Sequence, residues 1–275
     1  MRIVALQPSI SIVLDQLGAA SSIVACTRYC VEAVPELRAR AIPVIADSWT
    51  ATTEQILAQQ PDLVIASVPY RLETLAAILK TGCAVLTLAP HTLADVESDI
   101  RLLGAVVDRS TAAARLIAKM RSEISVITAR AAELSSQTGL HPLVYCEEWG
   151  KPAIHSQPWV AELVQAAGAR FLGTPGAHAD LDAIAAADPD VLVFAWCGAG
   201  DRVPLERVIE KRGWSGLRAV RERNCFCIQD EFLNTPAPTL FCGLRQLAVA
   251  IHGCHFGGCG FGETESPRRI SAKLS

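Results

Sequence analysis

Two hydrophobic periods recur along this chain. Short and nearly continuous apolar runs, at Ile3–Leu6, Ile23–Cys26, Leu63–Ala66, Ala84–Leu88, Leu143–Cys146, Val191–Ala195 and Cys225–Gln229, have the length and composition of strands buried on both faces. Between them lie segments with helical spacing or helix boundaries: Ile10–Gly18, Glu54–Gln60, Leu72–Lys80, Trp159–Ala167, Leu181–Ala187, Pro204–Lys211 and Pro238–His252. Thr52 or Thr53 caps the second of these, and Gly82 and Gly168 stop two others. Thr27-Arg28-Tyr29-Cys30 reads as a loop after the second strand. Strands alternating with helices predict an α/β chain with parallel sheets covered on both sides.

The stretch from Asp108 to Gln137 has no Pro and no Gly, and Val107, Ala114, Ile117, Ala118, Ile124 and Ile127 recur along it at helical spacing. Ser110 or Asp108 can cap its start, and Gly139 with Pro142 ends it. One helix of that length spans roughly 40 Å, more than the width of a small lobe, so it is expected to bridge two lobes. The alternative is an ordinary long helix packed on a single α/β domain. The bridging reading divides the chain into an N-terminal α/β lobe (1–107), a linking helix (108–137), a C-terminal α/β lobe (138–256) and a tail (257–275) whose Gly-rich, then polar composition suits disorder. Glu54–Ile65 and Leu181–Val193 echo each other, each giving a helix, a Pro-Asp turn and a buried strand, which suggests duplication.

Composition narrows the function. The chain has 275 residues, is 51% hydrophobic, and carries a formal charge of -3 without a dense basic cluster before its last residues, so nucleic acid is not an expected partner. No run approaches the ~18 apolar residues of a membrane span. Arg2-Ile3-Val4-Ala5-Leu6 begins a strand where a secretory signal would stand, so the expected location is cytoplasmic, or periplasmic if the numbering starts on a trimmed export product. The 10 cysteines, several of them inside apolar runs, behave as small hydrophobes in a reducing compartment.

Ligands of open parallel sheets bind beyond the carboxyl ends of the strands. Loops there carry Tyr29, Trp49, Tyr70, Arg71 and His91 in the first half, and Glu148, Trp149, Trp196, Cys197, Asp230 and Phe232 in the second. Tryptophans on such loops suit a large flat ligand, although each could simply pack a lobe surface. His91 and His155 are candidate ligands for a metal, including the centre of a corrinoid or porphyrin, or else ordinary hydrogen-bonded histidines. His252, Cys254, His255 and Cys259 have the ligand types for zinc; the alternative is a frayed helix end. Cys225 and Cys227, on one strand face, read as core thiols, and Glu147 and Glu148, adjacent on an extended segment, point to opposite faces and make a poor acid–base pair. With no nucleophile elbow, phosphate loop or dinucleotide fingerprint, the sequence offers no catalytic constellation, and no enzyme is expected.

Gln7-Pro8-Ser9 after the first strand, Thr27–Cys30, Ile56–Val64, Glu148-Trp149, Trp159–Leu163 with Ala167-Gly168, Ala187–Asp190, and Asn234–Pro238 leading to Gly243-Leu244 stand in an order that resembles the substrate-binding proteins of ABC importers for cobalamin, haem and iron-siderophores. The resemblance covers residues 1–252 and is nearest in look to cobalamin-binding members. It implies two Rossmann-like lobes with parallel sheets joined by one long helix, the class III periplasmic-binding-protein fold. It also implies cobalamin or a related corrinoid, tetrapyrrole or metal chelate bound between the lobes, and an ABC permease partner met through Glu73 and Glu206, which begin helices in the two halves. Alternatives are an iron-siderophore binder, which Arg28, Arg71 and Arg202 leave open, and a cytoplasmic chelatase-like enzyme acting on its bound ligand.

Overall fold

The computed structural model describes residues 1–46, 50–68, 72–253, 256 and 266–271. They form two compact units, Met1–Lys119 with Pro236–Pro238, and Met120–Thr235 with Thr239–Ser275.

Unit 1 runs β1 (Ile3–Ala5), α1 (Pro8–Gln16), β2 (Ile23–Thr27), α2 (Arg28–Ala33), α3 (Pro35–Ala39), β3 (Val44–Ile45), α4 (Thr53–Leu57), β4 (Leu63–Ser67), α5 (Leu72–Leu79), β5 (Ala84–Leu88) and α6 (Leu93–Val106). The sheet has the order β3-β2-β1-β4-β5, and every pair in it is parallel. Val4, Ala25, Val64 and Ala66 pack one core under its central strands with Ile56, Leu75 and Ile78 from the helices. Thr52 caps α4 through a reciprocal pair of bonds with Gln55. The segment expected as a loop at Thr27–Cys30 is instead the start of α2. It forms because Cys30 is drawn into the core, its thiol 3.2 Å from the Thr27 hydroxyl. Helix α6 had no sequence reading; its start is marked by Thr92 and Asp95, which cap each other's backbone.

Helix α7 (Ser110–Thr138) has 29 residues and is continuous from unit 1 into unit 2. Its buried apolar positions are Ala113, Ile117, Met120, Ile127, Ala131 and Leu134, a stripe spaced by fours and threes, whereas Ala114 and Ala118 from the expected stripe are exposed. A close approach sets its entry: a Cβ on Gly104 of α6 would stand 2.5 Å from that of Ala113.

Unit 2 continues with β6 (Leu143–Gly150), β7 (Ala153–His155), α8 (Pro158–Ala166), β8 (Arg170–Phe171), α9 (Leu181–Ala187), β9 (Val191–Phe194), α10 (Leu205–Arg212), α11 (Arg218–Arg221), β10 (Cys225–Cys227), α12 (Asp230–Leu233), α13 (Leu240–His252) and β11 (Arg268–Arg269). Its sheet has the order β11-β10-β9-β6-β7, with β8 also on β6. The sheet is mixed where an all-parallel one was expected, because β7 folds back on β6 as a hairpin and β11 pairs antiparallel to β10. That last strand falls inside the segment whose composition suits disorder; Arg269 holds it by donating to the Arg223 carbonyl at 2.6 Å.

Candidate functional site

Strand β6 is longer than its apolar run, and the extension carries the chemistry. By the alternation of a strand, Tyr145 and Glu147 project to one face and Glu148 to the other. Glu147 is fully buried and collects donors on both oxygens. The Tyr145 hydroxyl donates to Oε2, Trp196 Nε1 to Oε1 at 2.7 Å, and the Arg212 guanidinium to Oε2 at 2.7 Å and Oε1 at 2.9 Å. A carboxylate stripped of water needs such partners, and the two-pronged guanidinium matches its geometry. Burial, then the neighbouring Glu147 charge, pushes the Tyr145 hydroxyl well above its ordinary range.

Arg212 ends α10 and lies 4.9 Å from the Trp214 ring centroid and 5.7 Å from that of Phe194. Trp196, just beyond β9, is thus fixed by its indole nitrogen, and its six-membered ring lies so close to Gly150 that a Cβ there would overlap it. Trp149 and Trp196 line a pocket of about 550 Å³ together with Gly150, Lys151, Lys211 and Arg212. Trp149 is 43% exposed, and its Nε1 donates to the Lys151 carbonyl at 2.9 Å. The loop after Trp196 is held by Asp230, which accepts from the Gly198 N–H at 2.7 Å and the Gly200 N–H at 2.9 Å. On the opposite face of β6, Glu148 accepts from Gln157 Nε2 at 2.6 Å, and burial pushes its carboxyl up to about 7.

Of the residues expected to bind ligand, Trp149 and Trp196 therefore meet in one pocket. Phe232 sits half-buried in α12, outside that lining. In unit 1, the Tyr29 hydroxyl accepts from Arg28 Nη2 at 2.6 Å, with the guanidinium 4.6 Å from the ring centroid. His91 is exposed, its backbone N–H donating to Asp95 at 3.0 Å. Trp49, Tyr70 and Arg71 lie outside the described residues.

The described residues hold no group of three or more candidate metal ligands, and of the four zinc candidates only His252 is among them. His252 Nε2 is 2.8 Å from the Ala167 carbonyl and its ring stacks on Phe256; Cys254, His255 and Cys259 lie outside the described residues. His155 is buried edge-on to Tyr145, and burial lowers its pKa. Cys225 and Cys227 are core thiols, as read from the sequence.

Sequence reasoning missed Arg212, Lys151 and Lys211. A cation in the last turn of a helix has an ordinary explanation in the helix dipole, which hides Arg212 and Lys211. The one signal for Arg212 was a glutamate inside a strand that continues an apolar run, since a carboxylate there demands a cation from elsewhere in the fold.

The sequence profile of the family described as periplasmic binding protein matches residues 3–231. An uncharacterized ABC transporter substrate-binding lipoprotein, YvrC of Bacillus subtilis (strain 168), is 22% identical over 261 residues, covering 91% of this chain and 80% of its own. The solved periplasmic heme-binding protein RhuT from Roseiflexus sp. RS-1, in apo form, superposes with a TM-score of 0.79 at 23% identity, over 92% of this chain and 98% of its own. The periplasmic vitamin B12-binding protein BtuF of Vibrio cholerae superposes with a TM-score of 0.72 at 19% identity, over 91% of this chain and 96% of its own. At these identities the structural likeness establishes a shared fold, the class III periplasmic binding fold. No helix among the described residues is long and apolar enough to cross a membrane.

Proposed function

Since the chain belongs to the periplasmic binding protein family, a family of substrate-binding proteins and not of enzymes, we propose that it binds a flat metal-chelating macrocycle, a corrinoid such as cobalamin or a related tetrapyrrole, and delivers it to an ABC permease. The observation that carries this reading is the Trp149–Trp196 pocket at the carboxyl edge of β6 and β9, with Trp196 locked in place by Glu147. Two indoles give wide apolar area at little entropic cost, and a wall already rigid before binding loses less freedom when the ligand arrives. Relatives described as binding heme and vitamin B12 support the ligand class, and a relative described as an ABC substrate-binding lipoprotein supports the permease. The same descriptions support a location outside the cytoplasm in place of the cytoplasmic one expected from the opening residues, and membership of a binding family sets aside the chelatase-like enzyme.

Docking on the permease falls to Glu73 and Glu206 in this proposal. Glu73 is exposed in the first turn of α5. Glu206 is half-buried, and the Ser271 N–H, donating to Oε1 at 3.0 Å, holds its carboxyl below the usual range. The test of ligand class is an absorbance titration of the purified protein with haem and with cobalamin. A saturable shift of the visible bands with one of them is the expected result, and flat difference spectra with both would reject the reading.

A further inference from the structure

The Trp149–Trp196 pocket is one-sided in charge. Three of its lining residues, Lys151, Lys211 and Arg212, are cations, and none is a carboxylate. Arg212 is neutralised by the two-pronged pair with Glu147, its side chain only 9% exposed. Lys151, on the β6–β7 turn, and Lys211, in the last turn of α10, are both exposed, and neither ammonium has an ion pair or hydrogen bond to a described residue. Asp230, which holds the adjoining loop, is committed to the Gly198 and Gly200 N–H groups. The pocket therefore joins two aromatic walls to two uncompensated positive charges.

A lysine in a last helical turn is explained by the dipole alone, but that does not account for Lys151, which stands on a hairpin turn beside the same aromatic wall. Nor does an exposed ammonium have to be desolvated from a protein partner before it meets an anion, so both lysines are ready to receive one. We propose that the ligand carries carboxylate side arms, its ring against Trp149 and Trp196 and its acids on Lys151 and Lys211. The pocket then distinguishes an acid-bearing tetrapyrrole from a macrocycle whose arms are amides. This rests on the macrocycle reading given above and sharpens it.

The test titrates the full chain with three probes: protoporphyrin IX, which has two carboxylates; its dimethyl ester, which has the same ring without charge; and cyanocobalamin, whose arms are amides. The diacid should bind about tenfold or more tightly than the diester, as expected of charge-assisted bonds at a half-open site, and raised salt should erode that margin. Lys151→Gln with Lys211→Gln should bring the diacid down to the level of the diester, and Lys151→Arg with Lys211→Arg should keep the margin. Equal binding of diacid and diester by the native chain, or preference for cyanocobalamin over both, would overturn the proposal while leaving macrocycle binding intact. Failure of all three to bind would overturn both.

Discussion

In unit 1, Gln60-Pro61-Asp62 leads into β4; in unit 2, Asp188-Pro189-Asp190 leads into β9. Gln60 and Asp188 are both left-handed, with φ of 48° and 43°. The aspartate after each proline then does the same work: Asp62 Oδ2 accepts the Arg2 N–H at 2.6 Å, and Asp190 Oδ2 accepts the Leu143 N–H at 2.7 Å. Each aspartate's own N–H returns a bond to the carbonyl of that residue, at 2.9 and 2.8 Å. A short helix, a left-handed stop and a Pro-Asp clip thus fix the start of the first strand of each unit beside its neighbour. Past this shared start the two diverge. Strand β1 stops at Ala5, and beyond its end the Gln7 side-chain carbonyl accepts from the Ser67 N–H at 2.8 Å. Strand β6 runs on through Glu147 to a hairpin and builds a buried ion pair, an anchored indole and a pocket. The units teach that the clip sets the sheet and the length of the first strand sets the chemistry.

The strongest way to break this comparison is at the buried charge. Arg212→Ala leaves Glu147 without its cation in a dry site and should cost roughly 3–5 kcal/mol, whereas Gln7→Ala in unit 1 should cost about 1 kcal/mol. Urea unfolding of the two variants measures the difference, and equal losses would deny unit 2 its special interior. Next in size is the pocket wall: Trp196→Ala should weaken macrocycle binding by about 1–3 kcal/mol, and Gly150→Ala should have a similar effect by pushing the ring aside. Calorimetric titration reads both, and native affinity in Gly150→Ala would show that the indole is not held against that backbone.

The clip gives a sharper comparison with a smaller effect. Asp62→Ala and Asp190→Ala each remove one charged acceptor from a strand's first N–H and should each cost about 1 kcal/mol, with the Asp190 variant slightly worse because Arg218 Nη2 also pairs with it at 2.9 Å. Loss in one unit only would argue against a common origin. The remaining way is a pH effect at Glu148. Burial raises the Glu148 carboxyl to about 7 from an ordinary 4.5, so the folded chain holds this proton more firmly than the unfolded one. Stability then falls as pH rises between about 4.5 and 7 and is level on either side, and Glu148→Gln should flatten that slope in thermal melts.

Most of the scaffold was legible because it is periodic. Buried parallel strands announce themselves as unbroken apolar runs, and the Pro-Asp clip repeats in plain letters. Helix α6 went unread although Thr92 and Asp95 mark its start locally; the unread short strands have a cause distant in sequence. Strands β3, β7 and β11 have two or three residues and exist only because a neighbouring edge accepts them. The stripe of α7 was misassigned at Ala114 and Ala118 because alanine reads as apolar on either face of a helix. Trp149 and Trp196, which line one pocket, are legible in the sequence from their position at strand ends. The ion pair that fixes Trp196 is not, since Glu147 and Arg212 are 65 residues apart and only the fold brings them together.

Calorimetry of a tetrapyrrole diacid and of a corrinoid, against the native chain and against Trp149→Ala with Trp196→Ala, tests the central claim most directly. The account predicts saturable binding of at least one macrocycle by the native chain, and a loss of about tenfold or more in the double variant with its cooperative unfolding retained. Binding of neither macrocycle by the native chain, or full affinity in a folded double variant, would contradict it.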